Sequence, residues 1–256
     1  MKHGIASLSI IPIRKEPSHK SEMVSQLLFG ETFTVLNEQN NWLKVECLYD
    51  NYQGWIDAAQ YTPLVEKDFA ALANGEGGLA LDLSGSATSS THAVAIVAGS
   101  SLPFFDGLNL KLGKEKFIYN GQAIAEEGKN TQLLERIAVR YLNAPYLWGG
   151  RSPFGIDCSG FTQMAFKFLG VALKRDAFQQ AEQGAVVNFI EEALPGDLAF
   201  FHNEEGKIIH VGIILKDKKI IHSSGCVRID SIDHFGIHNA AQKKYTHRLK
   251  IIKRVF

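Results

Sequence analysis

Apolar and polar positions alternate in short bursts through the first 64 residues. The runs Phe33-Thr34-Val35-Leu36, Trp42-Leu43-Lys44-Val45-Glu46-Cys47 and Gly54-Trp55-Ile56 are each set off by Gly, Asn or Asp, which predicts short strands joined by turns. Over 65–125 the pattern loosens into a Gly-rich stretch (Asn74-Gly75-Glu76-Gly77-Gly78), a Ser/Thr cluster and β-prone runs such as Ala93-Val94-Ala95-Ile96-Val97. Phe117-Ile118-Tyr119 ahead of Asn120-Gly121 predicts strands closed by a tight turn. The period changes at Thr131. Leu133, Leu134, Ile137, Ala138, Tyr141 and Leu142 recur at helical spacing behind Thr131 as N-cap, and Pro145 is expected to end that helix. A second helix carries Phe161, Met164, Ala165, Phe168 and Leu169 on one face and stops at Gly170. Strands are expected at 198–201, 208–215 and 220–223. Helices followed by an antiparallel sheet make an α+β domain over 127–256, preceded by small all-β units at 1–64 and 65–126.

Candidate chemistry concentrates in the α+β part. Cys158, in Gly155-Ile156-Asp157-Cys158-Ser159-Gly160, falls at the start of the second helix, where unpaired N–H groups and the helix dipole favour a thiolate. Its polar neighbours set it apart from Cys47 and Cys226, which read as small buried hydrophobes. A thiol nucleophile needs a base, and the base needs a partner that fixes its tautomer. His210 and His222 interrupt two apolar strands and are the candidates; the other seven histidines read as surface or core residues. Side chains alternate along a strand, so both rings share a face only if an odd-length loop joins the two strands or a bulge interrupts one. A four-residue loop over 216–219 would put them on opposite faces.

Composition narrows the classes. The 27 Lys and Arg balance 27 Asp and Glu, so no global field attracts nucleic acid or an anionic membrane. Neither a secretory apolar region near the N-terminus nor a run of about 18 apolar residues is present, and the three scattered cysteines argue against a disulfide framework. The expected location is the cytoplasm, or the periplasm or exterior if a leader has been removed. The oligomeric state is not legible. Cys158, His210, His222 and Asp157 could hold zinc, but no CxxC or HExxH spacing supports it and no cofactor is expected.

Six blocks occur in one order: Ala144-Pro145-Tyr146-Leu147-Trp148-Gly149-Gly150, Asp157-Cys158-Ser159-Gly160-Phe161, Arg175-Asp176, Pro195-Gly196-Asp197-Leu198, His210-Val211-Gly212-Ile213 and Ile221-His222-Ser223. Together they resemble NlpC-type cell-wall cysteine peptidases over about 130–256. The resemblance implies a reduced papain-like α+β fold with a triad of Cys158, His210 and His222. Gly30-Glu31, the alternating strand after it, a Trp heading the next strand and a closing Gly-Trp-Ile resemble bacterial SH3-like domains, with a divergent second copy expected after them. The combination implies a peptidase that releases L-Ala-γ-D-Glu from murein peptides with a free N-terminus, cutting before diaminopimelate or lysine.

The resemblance further assigns Tyr146 to the oxyanion, Ser159 to the D-glutamate α-carboxylate, and Trp148 and Asp157 to the substrate side. Asp176, with Glu31 and Tyr52 from the SH3-like part, is assigned to the substrate ammonium, which needs carboxylate partners once buried. Ala177 stands where the family often has serine, which removes one carboxylate contact. Two rival readings remain at this point: a non-catalytic peptidoglycan-binding protein, and an amidase or acyltransferase on the same fold.

Overall fold

The alternation in the first 64 residues becomes a seven-stranded antiparallel sheet in the computed structural model, which describes residues 2–124 and 130–256. The expected boundary at 126/127 lies outside the described residues. Side by side run Met23–Leu28, Ile10–Arg14, Gln53–Asp57, Trp42–Cys47, Thr32–Gln39, Lys2–Ile5 and Thr62–Leu64. Period two sorts their side chains: Leu43, Val45 and Cys47 turn inward with Ile11, Ile13, Leu27, Phe33 and Ile56.

The next segment is less purely β than expected. Glu66–Ala73 is a helix, with Glu66 and Asp68 in its first turn, where the dipole favours negative charge. Its Phe69 and Leu72, three apart, pack on the second core. That core lies between a four-stranded and a three-stranded sheet. The hairpin of Asn109–Leu112 with Glu115–Tyr119 turns at Gly113, whose φ is 61°, rather than at Asn120-Gly121. Ile5, Phe29 and Leu64 of the first 64 residues share a cluster with Ala80, Leu102, Phe117 and Tyr119 of the second part. Met1–Glu126, together with Trp148–Pro153, accordingly forms one compact unit.

Glu127–Leu147 and Phe154–Phe256 form the other unit. The helix Thr131–Arg140 is capped one residue earlier than expected: Asn130 Oδ1 accepts from Gln132 N at 2.9 Å and Leu133 N at 3.2 Å. The helix stops at Arg140, well before Pro145, and Asn143 at φ 69° turns the chain. The sheet runs Ala185–Val187, Lys244–Arg254, Leu198–His202, Ile208–Leu215, Lys219–Ser224, Cys226–Asp233 and Gly236–Asn239. The last strand also pairs with Lys244–Arg254, closing six strands on themselves.

Ala199, Phe201, Ile214, Ile220, Ile232, Ile237 and Ile252 fill one face of that closed sheet. The alternate residues Leu198, Phe200, Val211, Ile213 and Ile221 are buried as well, and the helix Cys158–Lys167 packs on the His210 and His222 strands. All ten residues of that helix are buried. This is the α+β domain expected, and its antiparallel sheet is closed. Among the described residues no helix is long and apolar enough to cross a membrane.

Candidate active site

Asp157 fixes the start of the Cys158 helix. Its Oδ1 accepts from Gly160 N at 2.7 Å as the N-cap, and the same carboxylate is gripped by Arg175, Nη1 to Oδ1 at 3.0 Å and Nη2 to Oδ2. Both partners are buried, Arg175 to 1% exposure. Ser159 Oγ donates to Asp157 Oδ1 and accepts from Arg175 Nη1 at 3.0 Å. Gln180 ties the Arg175 segment to the helix, giving Nε2 to the carbonyls of Ser159 at 3.0 Å and Lys174 at 2.8 Å. Asp176 caps the short helix Ala177–Gln180, and its N–H donates to Gln179 Oε1 at 3.1 Å. Asp157, Ser159 and Asp176 thus stand in one connected framework around the first turn.

Cys158 is the first residue of the helix and is 5% exposed. The N–H of Val211, the residue after His210, donates to its sulfur, which places the thiol beside the His210 strand. Burial pushes the thiol up, to about 12, and the Asp157 charge adds to this; the Val211 and Ser159 N–H groups and the Arg175 charge pull the other way. Burial thus opposes the expected thiolate in the free site. A helix N-terminus does lie under the sulfur, but the dry surroundings and the capping carboxylate outweigh it.

The two histidines lie on one face because the loop between their strands has three residues. Leu215 pairs with Lys219, and Asp217 and Lys218 take φ of 57° and 53°. The register sets Gly212, not His210, directly opposite His222. A Cβ at 212 would come within 2.9 Å of His222 Cβ, so glycine makes room there. His210 reaches His222 diagonally, Nε2 to Nδ1 at 2.8 Å.

Asp230, on the neighbouring strand, completes the line. His222 Nε2 lies 3.1 Å from its Oδ2, and Arg228 binds both carboxylate oxygens at 2.7 and 2.9 Å. Burial pushes the Asp230 carboxyl up, but the hydrogen bonds from His222 and Arg228 outweigh it and bring it to about 2. An ionised carboxylate accepts from His222 Nε2–H, which leaves Nδ1 to accept from His210 Nε2–H and leaves His210 Nδ1 bare. Burial, with His222 and His247 nearby, holds His210 well below its usual range, so it is uncharged and can take a proton.

His247, from Lys244–Arg254, stacks on His210 with ring centroids 4.1 Å apart and a 24° angle. Neither it nor Asp230 was singled out from the sequence. Tyr146 is exposed, and its hydroxyl is raised to about 12 by partial desolvation and by the Cys158 and Asp157 charges, so it remains a donor.

The remaining predicted residues belong to the N-terminal unit. Trp148 Nε1 donates to Glu22 Oε1 at 2.8 Å. Tyr52 packs on the first core, and its N–H donates to Asp50 Oδ1 at 2.9 Å. Glu31 is buried at 5% exposure and bound by Arg151, Nη1 to Oε2 at 2.7 Å and Nη2 to Oε1 at 3.0 Å; Oε2 also accepts from Leu28 N. The Arg151 guanidinium thus orients the buried Glu31 carboxylate. Arg151, 120 positions away, escaped the sequence reading.

Comparison with known proteins agrees with this geometry. Residues 143–249 match the NlpC/P60 family, and 13–60 match the bacterial dipeptidyl-peptidase SH3 domain. The chain is 31% identical to a gamma-D-glutamyl-L-lysine dipeptidyl-peptidase of Bacillus subtilis over 78% of this chain and 71% of that one. It is 27% identical to dipeptidyl-peptidase 6 of Lysinibacillus sphaericus over 85% and 87%. Its fold matches the crystal structure of an NlpC/P60 family protein from Bacillus cereus with a TM-score of 0.84 at 20% identity, covering 99% of both chains. With a buried cysteine, a histidine pair and these relatives in one frame, the chain belongs to the NlpC/P60 family and is a peptidase.

Proposed function

We propose that this chain is a cysteine peptidase that hydrolyses the bond between γ-D-glutamate and an L-diamino acid, lysine or diaminopimelate, in murein peptides with a free N-terminus, releasing L-Ala-γ-D-Glu. The observation that carries this reading is the unbroken line from Asp230 through His222 to His210, with the Cys158 sulfur held by the next residue on the His210 strand. The names of the relatives supply the bond class. His210 Nδ1 takes the thiol proton as sulfur attacks the γ-carbonyl, and His222 and Asp230 hold the resulting imidazolium. The first-turn N–H of Cys158 and the Tyr146 hydroxyl supply donors to the oxyanion. His210 returns the proton to the leaving amine, and water then cleaves the thioester.

Ser159, once its hydroxyl turns from Asp157, is the residue that meets the D-glutamate α-carboxylate, and Asp176 supplies negative charge for the substrate ammonium. Mass spectrometry of L-Ala-γ-D-Glu-L-Lys and its diaminopimelate counterpart, each with free and acetylated N-termini, tests the reading. Wild-type protein should release L-Ala-γ-D-Glu from the free peptides alone, and Cys158→Ala should release none. Cleavage of neither peptide by wild type would overturn it.

A further inference from the structure

The peptidase line uses His210 and His222 and leaves His247 with no task beyond its stack. Yet the three residues offer ring nitrogens that all lie within 4.8 Å of one another. His210 and His222 are buried and His247 partly so. A tetrahedral ion with bonds of about 2.0–2.1 Å to three imidazoles holds their ring centres about 5 Å apart. The distances here are 5.0 Å for His210 and His222, 5.6 Å for His222 and His247, and 4.1 Å for His210 and His247. The first two fit as they stand. The third pair is stacked at 24°, so the His247 ring, the most exposed of the three, must turn out of the stack before its nitrogen faces the ion.

We propose that His210, His222 and His247 form an inhibitory site for a borderline divalent transition cation, with zinc the natural probe. The donor chemistry suits such an ion: three imidazoles, with His222 backed by Asp230 at 3.1 Å, the carboxylate–histidine arrangement that orients and strengthens a metal ligand. Thr246 Oγ1 engages His247 Nδ1 at 2.9 Å, so Nε2 is the nitrogen it offers. A water fills the fourth position.

Occupancy and catalysis exclude one another through one proton. The ion takes His222 Nδ1 and His210 Nε2 and replaces the 2.8 Å hydrogen bond between them. The hydrogen on His210 Nε2 then moves to Nδ1, with no net release of protons. That is the nitrogen that must be bare to receive the thiol proton, so the enzyme is silenced with Cys158 untouched.

Titration calorimetry with zinc chloride on metal-free Cys158→Ala protein, which cannot ligate through the thiol, tests this. One ion per chain is expected, with affinity at least tenfold weaker when His247→Phe is added; phenylalanine keeps an aromatic ring in the stack but offers no nitrogen. If the melting temperature shows that His247→Phe is unfolded, His222→Gln in the same background carries the comparison and should weaken binding as much. With wild type, zinc should suppress peptide hydrolysis and a chelator should restore it. Binding lost with Cys158, affinity indifferent to the histidine substitutions, or full turnover at saturating zinc would each overturn the proposal.

Discussion

The thiol of Cys158 and the bare Nδ1 of His210 set the reactivity of the free site together. With the thiol raised to about 12, the thiolate fraction grows about tenfold for each pH unit below that value. Alkylation by iodoacetamide should therefore climb steadily with pH through and above neutrality. A rate already flat near neutral pH would reveal a standing thiolate–imidazolium pair instead. Asp230 acts one ring further away, holding the His222 tautomer. Asp230→Asn should lower kcat roughly 100-fold with little change in KM, because the line of protons is scrambled while the peptide contacts stay. An unchanged kcat would remove Asp230 from the line. At this scale the sequence revealed Cys158, His210 and His222, because each interrupts its surroundings in type. Asp230 and His247 sit among polar and basic neighbours, and only strand pairing, Ile220 with Asp230 and Ile237 with His247, shows which way they face.

The first turn of the Cys158 helix is held by a buried ion pair more than by its own propensity. Removing one partner of such a pair leaves a buried charge uncompensated, at a cost of about 3–5 kcal/mol. Arg175→Met should lower unfolding stability by that order in urea denaturation, and adding Asp157→Asn should recover much of it. Equal stability of the single and double variants would show that Arg175 matters for packing alone. The helices Thr131–Arg140 and Cys158–Lys167 and the His210 and His222 strands were readable from their periodicity. The helix Glu66–Ala73 was not, since its two apolar anchors, Phe69 and Leu72, are too few to announce a period amid Ala, Asn and Gly.

On the scale of the whole molecule, Trp148–Pro153 belongs to the N-terminal unit while the residues on either side of it in sequence belong to the other. Arg151, inside that segment, anchors to Glu31 and to the Gln26 carbonyl at 2.6 Å. Glu31→Gln should therefore depress the melting temperature, and with a carboxylate lost from the ammonium's surroundings it should also weaken the preference for free over acetylated peptides. An intact preference in a folded variant would confine Glu31 to its Arg151 pair. Such long-range partnerships leave no trace in local patterning, which is why the sequence did not disclose that 148–153 belongs with the N-terminal unit. The three-residue loop between the His210 and His222 strands carries a consequence for the gene. One codon inserted or deleted there reverses the facing of everything beyond it, so an in-frame change that spares every catalytic codon would still behave as a null allele, while a two-codon change keeps the parity.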